Sequence, residues 1–456
     1  MAGPVDKGKP LSSWKEISAY LGCDQRTCLR WEKNLGLPVH RVGSPDSKGH
    51  VFAYKEELDA WLTARARQAQ QANEPQRRGP ARASLRAGIL IALAAVAIGV
   101  LALLLFRAPT GPASSPVSDA ADFRIEGSVL VITDTNGREL GRFDSRMNDL
   151  ADESFYRSHF QARGNTDANN RRSLPKLLIR DINGDGRSEV LFCPSNKSDY
   201  NPGIVYCLDR TGGEIWRYDA RQETRLWAKT FPSNYVVDAV DVIPSRNRNT
   251  QGLLIIARNM PEWPTYAAVL GADTGKAVGR FWNAGRIIDY ETAKLGDDRK
   301  PKLILAGVNN EYKQGFLAVF DPDRVGGQSP NSGEYHSDIL PPGTEEYYIL
   351  FPRTALDRVL TERELLAQID VLDPGEIQAV PQYSGLIFVL NGRLELSQVI
   401  LADDFRHLYQ KAQEQGKLPP GQLDESRLRR ELAGGFRYWD GARWTSSPAT
   451  NGRGHS

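Results

Sequence analysis

Cysteine is scarce in this chain, with four residues in 456. That excludes a scaffold built on disulfides, and the four positions match no zinc-site spacing. Histidine is nearly as rare: beyond residue 107 only His159, His336, His407 and His455 occur, far apart in sequence. A Gly-Lys-Ser/Thr phosphate loop, a Gly-x-Ser-x-Gly nucleophile turn, a His-Glu-x-x-His metal helix and a dinucleotide fingerprint are all missing. Nothing marks a catalytic centre, so the chain is expected not to be an enzyme. A large charge of one sign is missing too, since the net charge is +2. Charged residues make up 25% and hydrophobic residues 40%, which excludes wholesale disorder and rod-like architectures.

At roughly 150 residues per domain, the length suggests two to four domains. The charge is unevenly spread over them. Residues 1–86 carry 15 Lys/Arg against 9 Asp/Glu, whereas residues 107–456 carry 43 against 47. A basic block on an otherwise acidic chain points to nucleic acid or an anionic membrane surface as its partner. Between Arg86 and Arg107 the run AGILIALAAVAIGVLALLLF holds no charge. As a helix it would measure about 30 Å, the depth of a hydrocarbon core, which predicts a transmembrane helix over 87–106. Arg65, Arg67, Arg77, Arg78, Arg82 and Arg86 precede it, and only Arg107 closely follows. The positive-inside rule then places the N-terminus in the cytoplasm of a bacterial-type inner membrane, with the C-terminal part periplasmic or extracellular. Ala95-x-x-x-Gly99 would let two such helices approach, a route to a homodimer.

The basic block reads as two short helices and a hairpin. Ser13-Trp-Lys-Glu16 is a capping box opening a helix at Trp14, with Trp14, Ile17 and Leu21 on one face. Asp24 caps a second helix, Gln25 to Asn34, that buries Cys28, Trp31 and Leu35 and ends at Gly36. Val39–Val42 and His50–Tyr54 form strands around the turn-rich GSPDSKG, and a third helix starts at Lys55 with Leu58, Trp61 and Leu62. This stretch, with Arg26-Thr27, Leu29-Arg30-Trp31-Glu32, Gly36-Leu37 and Phe52-x-Tyr54, resembles the MerR/excisionase type of winged helix-turn-helix over residues 11–64. The resemblance implies that Gln25, Arg26, Thr27, Arg30 and Lys33 face double-stranded DNA, with Arg41 and Lys48 on the wing. Their chemistry agrees, because Arg and Lys neutralise phosphates and Arg or Gln bonds base edges. The bland alternative is the solvated face of a small helical domain. Residues 1–10 read as a disordered N-terminus and 65–86 as a basic juxtamembrane linker.

After a linker at 107–121, residues 122–445 carry short apolar runs bounded by Gly, Asn and Asp. One landmark is an Asp after an apolar run: Asp181, Asp241 and Asp289. A second is an apolar strand ending in a turn, at Asp209, Asp273 and Asp321. Partial units flank them at 129–144 and 385–396. Recurrence at this length predicts a propeller of five to seven four-stranded blades, with a two-sheet sandwich as the alternative. Phe405, Leu408 and Ala412 mark one helix, Leu428 and Leu432 another, and FRYWDGARWT a hairpin turning at Asp440-Gly441. That hairpin either closes the propeller or packs by itself. Residues 446–456 read as a disordered tail.

Asp181-Ile-Asn183-Gly-Asp185-Gly186-Arg187-Ser-Glu189 places side-chain oxygens at positions 1, 3, 5 and 9, a Gly at 6, and a backbone carbonyl at Arg187. That is the front of a calcium loop, although Phe192 stands where a twelfth-position Glu belongs. With its flanks, KLLIRDINGDGRSEVLF resembles the FG-GAP/VCBS calcium-bearing propeller repeat, and DRTGGEIWRYD resembles a quinoprotein-type blade hairpin. The loops after Asp241 and Asp289 lack the pattern, so one structural Ca2+ is expected. The alternative is an Asn/Gly/Asp turn that needs no metal. Cys193 and Cys207 flank a blade turn and are either a bridge or two buried thiols.

The expected fold class is therefore multidomain: a small α+β winged helix-turn-helix, one transmembrane helix and a large mainly-β propeller-like domain. The expected function is a membrane-anchored one-component transcriptional regulator whose outer domain senses or binds an unknown ligand or protein. The alternative is an envelope interaction or adhesion protein whose N-terminal domain binds a cytoplasmic protein. A quinoprotein-like enzyme is a third reading, resting on GEIWRY alone.

Overall fold

The computed structural model divides into two units, Met1–Ser115 and Pro116–Ser456. It describes residues 11, 13–21, 37–42, 50–55, 57–58 and 61 of the first, and residues 118–448 of the second without 162–171, 222–223, 227–228, 246–250, 296–299 and 373–374.

In the first unit α1 (Trp14–Leu21) begins where Ser13 Oγ accepts the Glu16 N–H at 3.2 Å, one half of the expected capping box. Strands β1 (His40–Val42) and β2 (His50–Phe52) pair antiparallel. Ile17, Leu37, Val51, Ala53 and Leu58 bury together against Trp14 and Trp61. The second helix, Gln25 to Asn34, lies outside the described residues, as do 65–86 and 87–106.

The second unit opens with β3 (Asp122–Glu126), β4 (Val129–Thr133) and β5 (Glu139–Asp144), the first sheet. Helix α2 (Glu153–Ser158) leads to the second sheet, β6 (Leu177–Arg180), β7 (Glu189–Phe192), β8 (Ile204–Leu208) and β9 (Glu214–Asp219). A hairpin of β10 (Thr224–Leu226) and β11 (Lys229–Phe231) precedes the third sheet, β12 (Tyr235–Ile243), β13 (Gly252–Asn259), β14 (Thr265–Gly271) and β15 (Ala277–Asn283). The fourth begins with β16 (Ile287–Leu295), β17 (Lys300–Asn309) and β18 (Gln314–Phe320). Strand β19 (Gly327–Gln328) then pairs parallel with β15, and β20 (Tyr347–Leu350) returns beside β18. After α3 (Ala355–Leu360) comes the fifth sheet, β21 (Leu366–Leu372), β22 (Glu376–Pro381), β23 (Leu386–Leu390) and β24 (Leu396–Leu401). Helices α4 (Asp403–Glu414) and α5 (Glu425–Gly434) follow, then β25 (Arg437–Trp439) and β26 (Trp444–Thr445).

Apart from the parallel β19, each sheet is antiparallel and stacks on the next through a core of its own. Phe123 and Leu130 meet Ile179 and Phe192 between the first two sheets. Trp216 and Tyr218 meet Leu253 and Tyr266 at the second interface. Leu254 and Phe281 meet Leu303 and Phe316 at the third. Leu317 and Ile349 meet Ile377 and Phe388 at the fourth, where α4 and α5 add Phe405 and Leu432. Middle strands are buried on both faces, so they read as unbroken apolar runs such as Leu253–Ala257. The outer strand β9 alternates, with Trp216 and Tyr218 inside. Five stacked sheets form a propeller-like body and overturn the two-sheet sandwich. The first sheet's other face is a charged lattice, in which Arg142 contacts Glu126 and Glu139 and Arg124 contacts the same two acids.

The turn landmarks survive and acquire a role. Asp134, Asp209 and Asn391 each accept backbone N–H groups two and four residues on, at 2.7–3.0 Å, where a third strand turns into a fourth. The Asp209 and Asn391 turns, and their equivalents in the third and fourth sheets, touch the outer strands of the preceding sheet. A Cβ on Gly141 of β5 would stand 2.1 Å from the Thr211 carbonyl carbon, and one on Gly279 of β15 would stand 2.0 Å from the Val325 oxygen. Between them, Trp216 Nε1 of β9 donates to the Ala272 carbonyl at 2.7 Å. The Asp landmarks do not hold: Asp181 follows β6, Asp241 lies inside β12 and Asp289 sits beside a bulge in β16. The C-terminal hairpin turns where expected, but β25 extends the edge of the fourth sheet beside β20.

The expected three-part fold class is corrected here. The described residues are mainly β with few helices, and none of their helices is long and apolar enough to cross a membrane. The longest, α4, has 12 residues and rises about 18 Å against the roughly 30 Å required. The described N-terminal residues hold α1, helical residues at 55, 57, 58 and 61 and a two-stranded pairing, and these do not support a helix-turn-helix, whose second helix falls outside the described residues.

One buried acidic pair links the fold to pH. Asp357 closes the capping box of α3 with Thr354, and Glu364 accepts the Gln382 N–H at 3.1 Å. Burial first, then the neighbouring Asp357 carboxylate, pushes Glu364 up to about 8. A raised carboxyl contributes stability that is complete below its unfolded value near 4.5 and lost as pH rises through about 8. Urea unfolding should thus show stability falling between pH 5 and 8.5 by an amount on the order of 3 kcal/mol. Glu364→Gln should flatten that slope, and an unchanged slope would sink the assignment.

Candidate functional site

Six stretches of chain meet around a cavity of about 390 Å³. Arg172, Ser173 and Leu174 come from the strand entry before β6, and Ser198 and Asp199 from the loop after β7. Asp238 and Arg258 come from β12 and β13, and Arg286 to Ile288 from the start of β16. His159, just past α2, completes the wall.

A bulge creates the Asp238 position. Val237 pairs with Ala257 and Ala239 with Ile256, so Asp238 is the extra residue and leaves the ladder. Its side chain is 7% exposed. Oδ1 accepts Arg258 Nε at 2.8 Å, and Arg286 Nη2 stands 3.9 Å from Oδ2. Oδ2 itself has no hydrogen-bond partner. Lys176 is wholly buried, donates to the Val237 carbonyl at 2.5 Å and lies 3.0 Å from Asp199. Burial works to lower its pKa, but the Asp199 charge, with Asp238 beyond it, outweighs that and keeps the ammonium charged. Burial lowers the pKa of His159, so its imidazole is neutral near pH 7.

Arg172 anchors the far wall. Its guanidinium lies 3.9 Å from Asp289 and 3.6 Å from Glu291 of β16 and contacts Asp370 of β21. Asp289 is fully buried, and its Oδ2 accepts the Ile369 N–H at 2.9 Å, tying the fourth sheet to the fifth. This arrangement can bind a small polar molecule. Among the described residues no group of three or more His, Cys, Asp or Glu side chains is placed to hold a metal ion.

No family model and no curated protein matches the chain. Solved structures do. The Dos1 propeller is 11% identical, with a TM-score of 0.29 over 63% of this chain and 70% of that one. A protein of unknown function from Bacteroides caccae is 9% identical, with a TM-score of 0.28 over 62% and 73%. A luciferin-regenerating enzyme is 8% identical, with a TM-score of 0.25 over 62% and 76%.

The residues singled out in the sequence lie elsewhere. Gln25, Arg26, Thr27, Arg30, Lys33 and Lys48 are outside the described residues, and Arg41 sits on β1 opposite Val51. The loop from Asp181 to Glu189 joins β6 to β7. Asp181 accepts the Gly184 and Gly186 N–H groups at 2.7 and 2.9 Å, Asn183 accepts that of Asp185, and Asp185 that of Arg187. Glu189 accepts the Ile182 N–H and the Asn183 amide. Burial raises the Glu189 pKa, and the Asp185 and Asp181 charges add to it. The donors are hard oxygens of the kind calcium takes, yet the loop is also closed by its own hydrogen bonds. The Cys193–Cys207 bridge is not formed; both thiols are free and buried. Leu191 stands opposite Cys207, which leaves Cys193 on a diagonal. Diagonal neighbours lie roughly 7–8 Å apart, beyond ordinary disulfide reach. Burial pushes Cys193 up to about 12, so it stays an inert thiol.

The sequence reading missed Arg172, Asp238, Arg258 and Arg286. One local signal existed: Asp238 interrupts the apolar run of YVVDAVDVI. Arg172→Ala should cost about 3–5 kcal/mol, because it removes the nearly buried guanidinium that Asp289, Glu291 and Asp370 face together. Asp370→Asn, at a quarter-exposed site, should cost far less. Equal losses for the two variants in urea unfolding would contradict this account.

Proposed function

We propose that the chain is a DNA-binding regulator whose propeller-like body is the sensing or interaction part. The observation that carries the sensor half is the cavity, where the nearly buried Asp238 carboxylate lies between two guanidinium groups with one oxygen lacking a hydrogen bond. The DNA half is supported by the basic composition of residues 1–86 and by the Arg26 to Lys33 pattern. The proposed location, an inner membrane with the N-terminal block on the cytoplasmic side, rests only on the uncharged run at 87–106 and the arginines before it. The loop at Asp181, Asn183, Asp185, Arg187 and Glu189 is proposed to take one structural Ca2+.

Selection of genomic DNA fragments by the purified full chain tests the reading. Recovery of a sequence motif is expected, with specific binding that survives salt abolishing the background. Replacing Arg26 and Arg30 by Ala should weaken it by about tenfold or more. Binding that is sequence-blind and lost in salt would favour the envelope interaction protein instead. For the loop, Ca2+ should raise the unfolding temperature of the parent and leave Asp181→Ala unmoved. No rise in the parent would remove the metal.

A further inference from the structure

The charges around the cavity are met in place. Arg172 faces Asp289, Glu291 and Asp370, and the wholly buried Lys176 faces Asp199. Asp238 faces Arg258 at 2.8 Å and Arg286 at 3.9 Å, and Arg286 has a further interaction besides. An added ion of either sign would stand beside a charge of its own sign and lose its hydration without an open counter-charge. What the wall lacks is hydrogen bonds. Asp238 Oδ2 is a nearly buried acceptor without a donor. Ser173 and Ser198 line the same cavity, and neither hydroxyl bonds a described residue; Ser198 uses only its N–H, on Asn196 Oδ1 at 3.0 Å. His159 adds an acceptor. Its Nδ1 stands 2.7 Å from the Phe155 carbonyl, which can only accept, so Nδ1 carries the proton and Nε2 the lone pair.

These four groups come from four stretches of chain. Together they call for a ligand that donates and accepts at several points and carries no charge. A hydroxyl does both with one atom. Only Leu174, Ile287 and Ile288 of the wall are apolar, so an apolar ligand finds little to bury against. The volume of about 390 Å³ lies within the range of small-molecule sites. We propose that this cavity binds a small neutral polyol, with one hydroxyl donating to Asp238 Oδ2 and others bonding Ser173, Ser198 and His159 Nε2. The inference rests on the sensor reading for its purpose, but the binding event is independent of DNA.

Calorimetry on the purified full chain tests it, with xylitol, myo-inositol and D-glucose as probes. Pentanoate, pentylamine and 1-pentanol, which keep the carbon chain of xylitol but not its hydroxyls, serve as comparison compounds. At least one polyol should bind with a Kd below about 1 mM, and the three comparison compounds at least about tenfold more weakly. That Kd should move by less than about twofold between about 0.05 and 0.5 M NaCl, because no ion pair forms with the ligand. Ser173→Ala and Ser198→Ala should each weaken the polyol about two- to tenfold. Asp238→Asn, which exchanges one acceptor oxygen for a donor, should weaken it by about tenfold or more; if that variant does not fold, the two serine variants decide. No polyol with a Kd below about 1 mM, a comparison compound binding as tightly, or a polyol affinity that both serine variants leave unchanged overturns the proposal. Measuring DNA affinity on the same preparation separates the two claims. DNA binding without polyol binding removes only this inference, and the reverse removes only the regulator.

Discussion

The body depends on one steric constraint, the approach of each sheet's outer strand to the third-to-fourth-strand turn of the next sheet. At Gly141 and Gly279 that approach leaves no room for a Cβ. Between these points Trp216 takes another route, laying its ring on the next sheet and giving its N–H to the Ala272 carbonyl. With the edges held, the apolar faces between sheets bury against one another. The pattern also identifies the first sheet. Its β4–β5 turn matches the β8–β9 turn, so its three strands correspond to the last three of a four-stranded unit.

Stacking sheets this way drives their first strands together, and charged residues there are buried whether or not they have partners. Most are satisfied. Arg172 answers Asp289, Glu291 and Asp370, and Lys176 answers Asp199 and the Val237 carbonyl. Asp238 is answered on one oxygen only. A stability argument explains the first two sets and leaves the third as chemistry for something else.

The Asp181 loop shows the reverse situation. Its oxygens have the spacing of a cation site, yet the geometry also satisfies a tight turn. The same Asp-to-backbone bonds that would orient ligands hold the loop by themselves. Spacing in sequence therefore does not separate a metal loop from a turn of identical composition.

The strands and turns of the body were legible because their causes are local. Asp209 bonds backbone two and four residues on, Trp216 and Tyr218 alternate with exposed neighbours, and Phe405 and Ala412 share a helical face. The helices α4 and α5 and the turn at Asp440 were readable for the same reason. The Asp landmark misled because an Asp after an apolar run can be a turn residue, as Asp181 is, or a strand residue, as Asp241 and Asp289 are. A bulge shifts which residue leaves the ladder without leaving a mark in composition. The cavity was invisible for a stronger reason. Arg172, Asp238, Arg258 and Arg286 come from separate segments, and only the convergence of sheets brings them together. By itself the sequence determined local turns, strand periodicity and the split into a basic block and an acidic body. Tertiary structure alone decided which charges met, because Coulomb and hydrogen-bond partners are set by distance in space and not by spacing along the chain.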